Sequence, residues 1–378
     1  MPALDTHIPS AEDLRRAFDR PATLTVGIEE EVLLLDPASL DLLPRAADVV
    51  ARSADPAVKL EMPASQLELL TTPAATVGQA AAQLWTARRR LQAAARDIGV
   101  LASAAVHPFA AALGVLNGGQ RYAGMAGEYA WVARRQLVAG LQVHVAVGPI
   151  DIAVAVHNAL RAHLPELAAL AAAAPFHAGV DTGLASVRPK LAENLPRQGI
   201  PPAFADVTEL AGAWRWAADA GAIQHIGQWW WEVRLHPGFG TIEVRVCDAQ
   251  ATVAETAALA GVIHALCGWL VQQAQSGCLP PPAPTWRIEA NRWSACRHGV
   301  RGIMADLRTG QPEPTVDRLT SLLDQLGSTA QRLGCAEELA SARAVLTDPP
   351  PDRHREIVAG DGLRGLCAWL VDRFTSPE

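Results

Sequence analysis

Lysine is nearly absent from this chain of 378 residues, because Lys59 and Lys190 are its only lysines. Almost every positive charge is therefore an arginine, which suits bidentate binding of phosphate but also follows from a G+C-rich coding sequence. The formal net charge is -7. The densest basic run, 88–90, lies in a helical pattern and is interpreted as a solvated face. These features argue against binding to nucleic acid or to an acidic membrane.

Cysteine is missing from the chain before Cys247, and the six cysteines show neither CxxC nor zinc-like spacing. We interpret them as reduced and mostly structural. The N-terminal segment lacks a basic region followed by an apolar one, and no uninterrupted apolar run reaches membrane-spanning length. We therefore expect a soluble, cytoplasmic protein. The motifs GxxxxGK[ST], GxSxG and HExxH are also absent, which excludes a Walker-type phosphate loop.

What the chain does have is an acidic strand, TLTVGIEEEVLLLD, at 23–36. Its apolar and β-branched residues predict a mostly buried strand. Because side chains alternate along a strand, Glu29 and Glu31 share one face and Glu30 lies on the other. We therefore expect Glu30 to be structural and the mildest of the three glutamates to replace. Two carboxylates on a partly buried face repel each other unless a cation, hydrogen-bond donors or a proton offsets their charge. A divalent metal would do so, although a solvated sheet edge explains the same pattern.

A second acidic stretch, VKLEMPASQLELLTT, follows at 58–72. Pro63 should divide it, with Glu61 at the end of one strand and Glu68 within the next. Both glutamates are candidate partners for Glu29 and Glu31.

Two later strands carry polar residues among apolar neighbours. LQVHVAV at 141–147 contains His144, which is either a buried core histidine or a metal or phosphate ligand. A hairpin is predicted from strands 229–235 and 241–248, and on its second strand Glu243 and Arg245 share a face. These two residues either pair with each other or hold a metal and a phosphate.

The rest of the chain is predicted to be mainly helical. Helices are expected at 10–18, 76–99, 120–138, 152–163, 164–174, 253–275, 287–307, 316–333, 335–346 and 353–374. A long irregular stretch at 175–204 is typical of a binding loop. We predict an α+β fold with an antiparallel sheet, in one catalytic domain over 1–378. Its sheet-containing core would span 20–250 and a mainly helical continuation 251–378.

The sequence indicates a binding site for Mg²⁺ or Mn²⁺ on one face of the sheet, which we call the metal floor, because several apolar strands carry acids that offer oxygen ligands. One strand histidine and scattered arginines accompany these acids. Such a metal would bridge nucleotide phosphates while arginines stabilise the transferred phosphoryl group.

Seven segments, in the same order, resemble the type 2 glutamate-cysteine ligase family, the YbdK-type carboxylate-amine ligases. They are GIEEEV (27–32), LEMPASQLELLT (60–71), RYAGMAGEYAWVARR (121–135), GLQVHVAVG (140–148), DTGLASVRPKLAENLPRQGIPPAF (181–204), FGTIEVRVCDA (239–249) and NRWSACRHG (291–299). The resemblance implies a glutamine-synthetase-like antiparallel sheet that holds Mg²⁺ and ATP. It implies an ATP-dependent ligase that phosphorylates a carboxylate, preferably the γ-carboxyl of glutamate, and then transfers the acyl group to an amine.

The resemblance also implies roles for individual residues. The positions expected near the metal and the ATP phosphates are Glu29, Glu31, Glu61, Glu68, His144 and Glu243. Arg188, Arg245 and Arg297 are expected to act in catalysis, and Arg234, Asn291 and Arg297 to bind the cofactor. For each arginine the opposing interpretation is a structural ion pair.

Two departures from the family pattern concern the amine pocket. Ala146 stands where the family commonly has glycine, and the segment 229–231 consists of three tryptophans. Either could reshape the pocket, so cysteine is not assigned as the acceptor.

Two other functions fit the acidic strands. A phosphotransferase acting on a nitrogen acceptor would release a stable phosphorylated product and no amide, and a non-catalytic metal or nucleotide binder would release no ADP. Homo-oligomerisation remains possible on sequence grounds.

Overall fold

The computed structural model describes residues 7–376, and within them one large antiparallel sheet is flanked by helices. The strands are β1 (Val26–Leu35), β2 (Val58–Leu60), β3 (Gln66–Leu70), β4 (Val100–Ala102), β5 (Gly140–Val145), β6 (Phe176–His177), β7 (Val180–Asp181), β8 (Val233–His236), β9 (Thr241–Asp248), β10 (Ile303–Ala305) and β11 (Pro312–Pro314). The large sheet has the order β2-β3-β1-β5-β9-β8, and β4 pairs with β1. The predicted α+β class is confirmed.

Helices precede, separate and follow these strands. They are α1 (Ala11–Phe18), α2 (Ala46–Ser53), α3 (Val77–Ala95), α4 (Gln120–Arg134), α5 (Ile150–Leu160), α6 (Leu164–Ala171), α7 (Arg188–Ala192), α8 (Val207–Asp219), α9 (Val253–Gln275), α10 (Thr285–His298), α11 (Thr315–Leu333), α12 (Ala336–Ala342) and α13 (Pro350–Arg373). Ser10 caps α1 through a reciprocal bond with Asp13, as its sequence indicates.

Helix α9 is long and apolar enough to cross a membrane, but 83% of its most apolar window is buried within the protein. Its side chains pack against α5, α11 and α12. The helix therefore forms part of the hydrophobic core, which it shares with the apolar face of the sheet.

The large sheet has one apolar face and one polar face because its strands alternate. In β1, Val26, Ile28 and Val32 are fully buried against the helices. Glu29 and Glu31, between them, point to the other face and are only partly covered. The predicted phase of the acidic strand is therefore confirmed.

Glu30 is the exception on the apolar face, and it is neutralised by an arginine. The guanidinium of Arg88 on α3 donates to both carboxylate oxygens of Glu30 at 2.7 Å, and both side chains are fully buried. Thr256 on α9 adds a hydrogen bond of 2.8 Å to Glu30. The remaining donors of Arg88 reach the carbonyls of Gln250, Ala251 and Phe374. The pair thus joins β1, α3, α9 and the C-terminal end of the described chain.

This environment corrects two expectations. Arg88 does not belong to a solvated face, although Arg89 and Arg90 are exposed. Glu30 is structural, as predicted, but the expectation that it would be the mildest of the three glutamates to replace does not fit a fully buried ion pair.

The structure differs from the sequence-based expectations in three segments. The strand predicted at 229–235 begins only at Val233. A short 3₁₀ turn at Ile226–Gln228 precedes it, and the segment 229–231 connects the turn to β8. Helix α10 ends at His298, where Gly299 takes a positive φ of 55°, and the predicted helical tail becomes the β10–β11 hairpin. Helix α8, with Asp206 as its N-cap, was not predicted. The single catalytic domain over 1–378 stays a prediction.

We expect Glu30→Gln to lower the free energy of unfolding by about 3–5 kcal/mol, because it leaves the Arg88 guanidinium buried without its counter-charge. Urea denaturation followed by circular dichroism measures this loss. Glu12→Gln, on the exposed side of α1, is the matched control and should change stability by less than about 0.5 kcal/mol. The double replacement Glu30→Leu with Arg88→Met should be milder than Glu30→Gln; if it is worse, charge pairing is not the cause.

Candidate active site

The polar face of the sheet brings acidic residues from neighbouring strands into register. Glu31 of β1 lies directly opposite Glu68 of β3, and His144 of β5 lies opposite Glu243 of β9. Glu29 is two residues before Glu31 on the same face, and Glu61 follows the end of β2. The alternation of each strand, combined with antiparallel pairing, therefore gathers residues that are far apart in sequence.

These six residues form two groups, each of which could hold a cation. The side chains of Glu29, His144 and Glu243 offer ligand atoms within 4.8 Å of one another. The carboxylates of Glu31, Glu61 and Glu68 do the same. We call them the histidine triad and the glutamate triad. The carboxylates are oxygen ligands of the kind that Mg²⁺ and Mn²⁺ prefer, and the histidine triad adds one imidazole nitrogen.

In the glutamate triad, burial and mutual repulsion disfavour the ionised form of the carboxylates. Burial and the charge of Glu31 raise the pKa of Glu61 to about 7. Burial and repulsion by Glu61 hold the pKa of Glu68 well above its usual range, and burial also raises the pKa of Glu31. A divalent cation would stabilise the ionised carboxylates and lower all three pKa values.

The histidine triad differs because arginines already neutralise part of it. Burial alone would raise the pKa of Glu243, but Arg234 and Arg245 hold it well below the usual range. Burial likewise opposes ionisation of Glu29, yet His144 lowers its pKa below the ordinary value. Both carboxylates are therefore ionised near neutral pH, as metal ligands must be.

One buried nitrogen supports a metal at the histidine triad. Nε2 of His144 makes no hydrogen bond within residues 7–376, and it lies 3.4 Å from Oε1 of Glu29 and 4.0 Å from Oε2 of Glu243. The other ring nitrogen, Nδ1, is 2.9 Å from the hydroxyl of Thr241. If the Nδ1–H donates to Thr241, the lone pair of Nε2 points towards the acids, as in histidines that bind metals. The residues therefore fit a divalent cation.

Two glutamines that the sequence analysis did not select complete the polar face. Gln142 donates to Glu31 at 3.0 Å and accepts from Arg245 at 2.6 Å, which links the two triads. Gln66 also donates to Glu31, and its buried Oε1 has no hydrogen-bond partner in the described part of the chain. The sequence could have indicated both glutamines, because Gln142 is two residues before His144 and Gln66 is two residues before Glu68, which places each on the same face of its strand.

Arg245 and Arg188 both lie beside the acids of the polar face, and their catalytic roles stay predictions. Arg245 contacts Glu243, and its pKa is raised further above the usual range. Arg188 donates to the carbonyls of Arg245 and Val246 at 3.2 Å, and its buried Nε has no partner within residues 7–376. Gly140 makes room for it, since a Cβ there would lie 2.3 Å from Nη2 of Arg188.

The other predicted cofactor-binding residues are placed differently. Arg234 is fully engaged, with two bonds to Glu243 and two to the backbone carbonyls of Gly227 and Trp229. Its guanidinium therefore orients Glu243 instead of offering free donors to a phosphate.

Asn291 and Arg297 lie away from the sheet. Asn291 bonds the backbone of Ala305 in both directions, at 2.7 and 2.8 Å, and so fixes β10 against α10. Arg297 donates to the carbonyl of Gly183 and lines a separate cavity with Arg301 and Arg355. The structure therefore does not bring these two residues to the polar face of the sheet, and their assignment to the cofactor site stays a prediction without support from these contacts.

Two cavities open at opposite ends of the triads and share no lining residue. The first, which we call the arginine cavity, borders the glutamate triad and is lined by Glu31, Glu61, Arg121, Arg188 and Arg245 among others. The second, the proline cavity, borders the histidine triad. It has a volume of about 510 Å³ and a mainly apolar lining that includes Pro21, Gly27, Pro73, His144 and Phe239. This volume falls in the range of about 300–1,000 Å³ typical of small-molecule sites.

Comparison with known proteins gives a consistent result. The model of glutamate-cysteine ligase family 2 (GCS2) matches residues 25–360. A relative from Rubrobacter xylanophilus named "Putative glutamate--cysteine ligase 2-3" is 38% identical over 364 residues, which cover 94% of this chain and 98% of the relative. The relative "Putative glutamate--cysteine ligase 2-1" from Frankia casuarinae is 34% identical over 286 residues, 74% of each chain.

Two solved structures share the fold. A glutamate–cysteine ligase from Francisella tularensis, crystallised in complex with AMP, superimposes with a TM-score of 0.69 at 12% identity, covering 94% of this chain and 89% of that one. A bifunctional glutathione synthetase from Pasteurella multocida superimposes with a TM-score of 0.72 at 16% identity over 99% of this chain and 54% of that longer one.

We expect Thr241→Val to weaken Mn²⁺ binding by about 10–100-fold, because the variant removes the hydroxyl that orients His144 while keeping the side-chain volume. Titration calorimetry or electron paramagnetic resonance of Mn²⁺ measures the affinity without any turnover. Thr208→Val, on the surface of α8, is the matched control. Unchanged Mn²⁺ affinity in Thr241→Val would show that Thr241 does not orient a metal ligand.

The stability of the metal-free protein should depend on pH through Glu61. Its raised pKa means that the folded state keeps a proton that the unfolded chain has lost, so this contribution to stability falls as pH rises from about 4.5 to about 7. Urea denaturation across this range should show wild type losing stability relative to Glu61→Gln. Saturating Mg²⁺ should remove the difference in slope, and parallel curves without metal would contradict the assigned pKa.

Proposed function

The chain belongs to glutamate-cysteine ligase family 2, which makes it an ATP-dependent ligase that forms a C–N bond, and we propose that it joins the γ-carboxyl group of glutamate to an amine. The observation that carries the proposal is the pair of triads on one sheet face, with a cavity at each end. This arrangement suits the triphosphate of ATP, with the nucleoside in one cavity and the amino-acid substrates in the other.

We assign the proline cavity to the nucleoside of ATP and the arginine cavity to the amino-acid substrates. An adenine ring needs apolar and aromatic contacts, which Pro21, Pro73 and Phe239 provide. Glutamate carries charges that need the guanidinium groups of Arg188 and Arg245. The phosphate chain then lies between the cavities, over the triads.

In the first step, a γ-carboxylate oxygen of glutamate attacks the terminal phosphorus of ATP, and ADP leaves with the bond electrons. Metal ions held by the two triads would neutralise the phosphates and bring the reacting oxygens together. Arg245, whose positive charge is secured by Glu243, stabilises the negative charge on the transferred group. Gln142 keeps Arg245 and Glu31 in fixed positions.

In the second step, the nitrogen of the amine attacks the carbonyl carbon of the acyl phosphate. Inorganic phosphate leaves, the amide forms, and the nitrogen loses a proton. Exclusion of water from the site when both substrates are bound would limit competing hydrolysis of the acyl phosphate. Mg²⁺ or Mn²⁺, the γ-glutamyl specificity and a cytoplasmic location are parts of this proposal.

The test is a coupled assay of ADP release with glutamate held constant and amines varied, followed by mass spectrometry of the products. ADP release should require both glutamate and an amine, and the product should contain an amide. A stable phosphorylated product without amide would instead indicate a phosphotransferase, and no ADP with any amine would indicate a binding protein.

Glu31→Gln should lower kcat by at least about 100-fold, because it removes one negative charge from the glutamate triad with little change in volume. The same assay measures the loss, and circular dichroism checks that the fold persists. Glu128→Gln, exposed on α4, is the control and should keep wild-type activity. Wild-type activity in Glu31→Gln would contradict the proposal that the glutamate triad binds a metal ion needed for the reaction.

A further inference from the structure

The amine of the proposed reaction has to lose a proton before it attacks the acyl phosphate. An amine of ordinary basicity is protonated near pH 7, and an ammonium nitrogen has no lone pair with which to attack a carbonyl carbon. A general base close to the acyl phosphate therefore speeds the reaction at neutral pH. In the proposed assignment, this base lies in the arginine cavity, where the amino-acid substrates bind.

The arginines of this cavity and the acids of the glutamate triad do not fit the role of the base. Arg121, Arg188 and Arg245 line the cavity, but a guanidinium group stays protonated and accepts no proton. Glu31 and Glu61 also line it, but in the proposed enzyme their oxygens bind a cation. These five groups are thereby excluded.

Two further ionisable groups of the cavity already have partners. The hydroxyl of Tyr122 donates to the carbonyl of Leu60 at 2.6 Å, and burial raises the pKa of Tyr122 to about 12. The buried Nε of Arg292 donates to both carboxylate oxygens of Glu232 at 2.9 Å. Tyr122 therefore acts as a donor, and Glu232 balances the charge of a buried arginine.

His225 is the remaining ionisable residue that lines the cavity. It is half-buried in the segment between α8 and β8, directly before the 3₁₀ turn Ile226–Gln228. Its ring makes no hydrogen bond within residues 7–376. Gly227, which also lines the cavity, leaves space beside the ring, since a Cβ there would lie 2.9 Å from Nδ1 of His225. A neutral imidazole with an unpaired ring nitrogen is thus present in the cavity.

The surroundings of His225 favour the neutral form that a base requires. Burial lowers the pKa of His225, and the positive charges of Arg121 on α4 and Arg234 on β8 lower it further. Arg121 also acts on Glu61, so the same guanidinium faces both the acids and the imidazole. At neutral pH the ring of His225 is therefore ready to accept a proton.

We propose that His225 is the general base that takes a proton from the amine before the amine attacks the acyl phosphate. The inference rests on the proposed ligase function, because it adds a residue to the second step of that reaction. One N–H proton passes to the imidazole, and the freed lone pair forms the bond to the acyl carbon. The bond from this carbon to the phosphate oxygen breaks, and hydrogen phosphate leaves with the bond electrons and the second N–H proton. The imidazolium then releases its proton to solvent.

The first test compares acceptors that differ in basicity. Methylamine and cysteine are protonated on nitrogen at pH 7, whereas hydroxylamine, nearly equal in size to methylamine, is largely neutral and needs no base. We expect His225→Gln to lower kcat/KM for methylamine and cysteine by at least about 100-fold at pH 7, while the value for hydroxylamine stays within about 3-fold of wild type. Glutamine keeps a polar side chain but accepts no proton. Mass spectrometry quantifies the amide and hydroxamate products.

The second test measures kcat/KM for methylamine as a function of pH. In wild type the value should fall in acid, as His225 becomes protonated, at a pH below the ordinary pKa of histidine. In His225→Gln it should instead rise by about 10-fold per pH unit, because only the unprotonated amine reacts. His298→Gln, exposed on α10 and outside this cavity, is the matched control and should leave the rates and the pH profile unchanged.

The outcomes separate the base from the ligase function. Equal losses with methylamine and hydroxylamine in His225→Gln would show that His225 only binds or positions a substrate, and would overturn the proposal while leaving the ligase intact. An unchanged rate and pH profile would overturn it as well, as would a wild-type protein that uses hydroxylamine alone. No glutamate-dependent ADP release with any of the three acceptors would contradict the ligase function, and the role of His225 with it.

Discussion

The buried pair of Glu30 and Arg88 fixes the sheet on which the rest of the site depends. A strand that slips by one residue turns every side chain to the opposite face. The bidentate contact with Arg88, supported by Thr256, allows one position of Glu30 on the apolar face. Glu29 and Glu31 must then point to the other face. The pair gives little net stability compared with apolar packing, but it selects the register in which the candidate site exists.

The carboxylates on the polar face of the sheet also need positive charge nearby, but they obtain it differently from Glu30. Behind the sheet, a protein cation balances one carboxylate. At the histidine triad, Arg234 and Arg245 balance Glu243, and a buried histidine nitrogen is left without a partner. At the glutamate triad, burial and mutual repulsion of the carboxylates raise the pKa values of all three acids, and a bound cation would lower these pKa values. The electrostatics of both triads are compatible with bound cations, and the family shows that the chain is an ATP-dependent ligase.

The sequence predicted the parts of the structure that depend on local alternation. The phase of β1 and the break at Pro63 follow from two-residue periodicity and from turn residues. The same periodicity selected Glu29, Glu31, Glu61 and Glu68 as candidates, and the resemblance to the ligase family added His144 and Glu243. Arg88 was missed, because a buried arginine in a helix looks like a solvated one until its partner is known. The contacts of Asn291 and Arg297 also differ from the expectation. A sequence motif gives the order of residues along the chain but not the direction in which their side chains point. The β10–β11 hairpin depends on Gly299 at positive φ, which composition does not reveal.

The separation of the arginine and proline cavities has a consequence for the order of events. They share no lining residue and meet only at the triads. In the proposed assignment, a nucleotide bound in one cavity would contact none of the residues that line the other. Binding of ATP would then not require the amino acid to be bound first, and steady-state kinetics should follow a random sequential scheme. ADP and the amide product would likewise leave from different cavities.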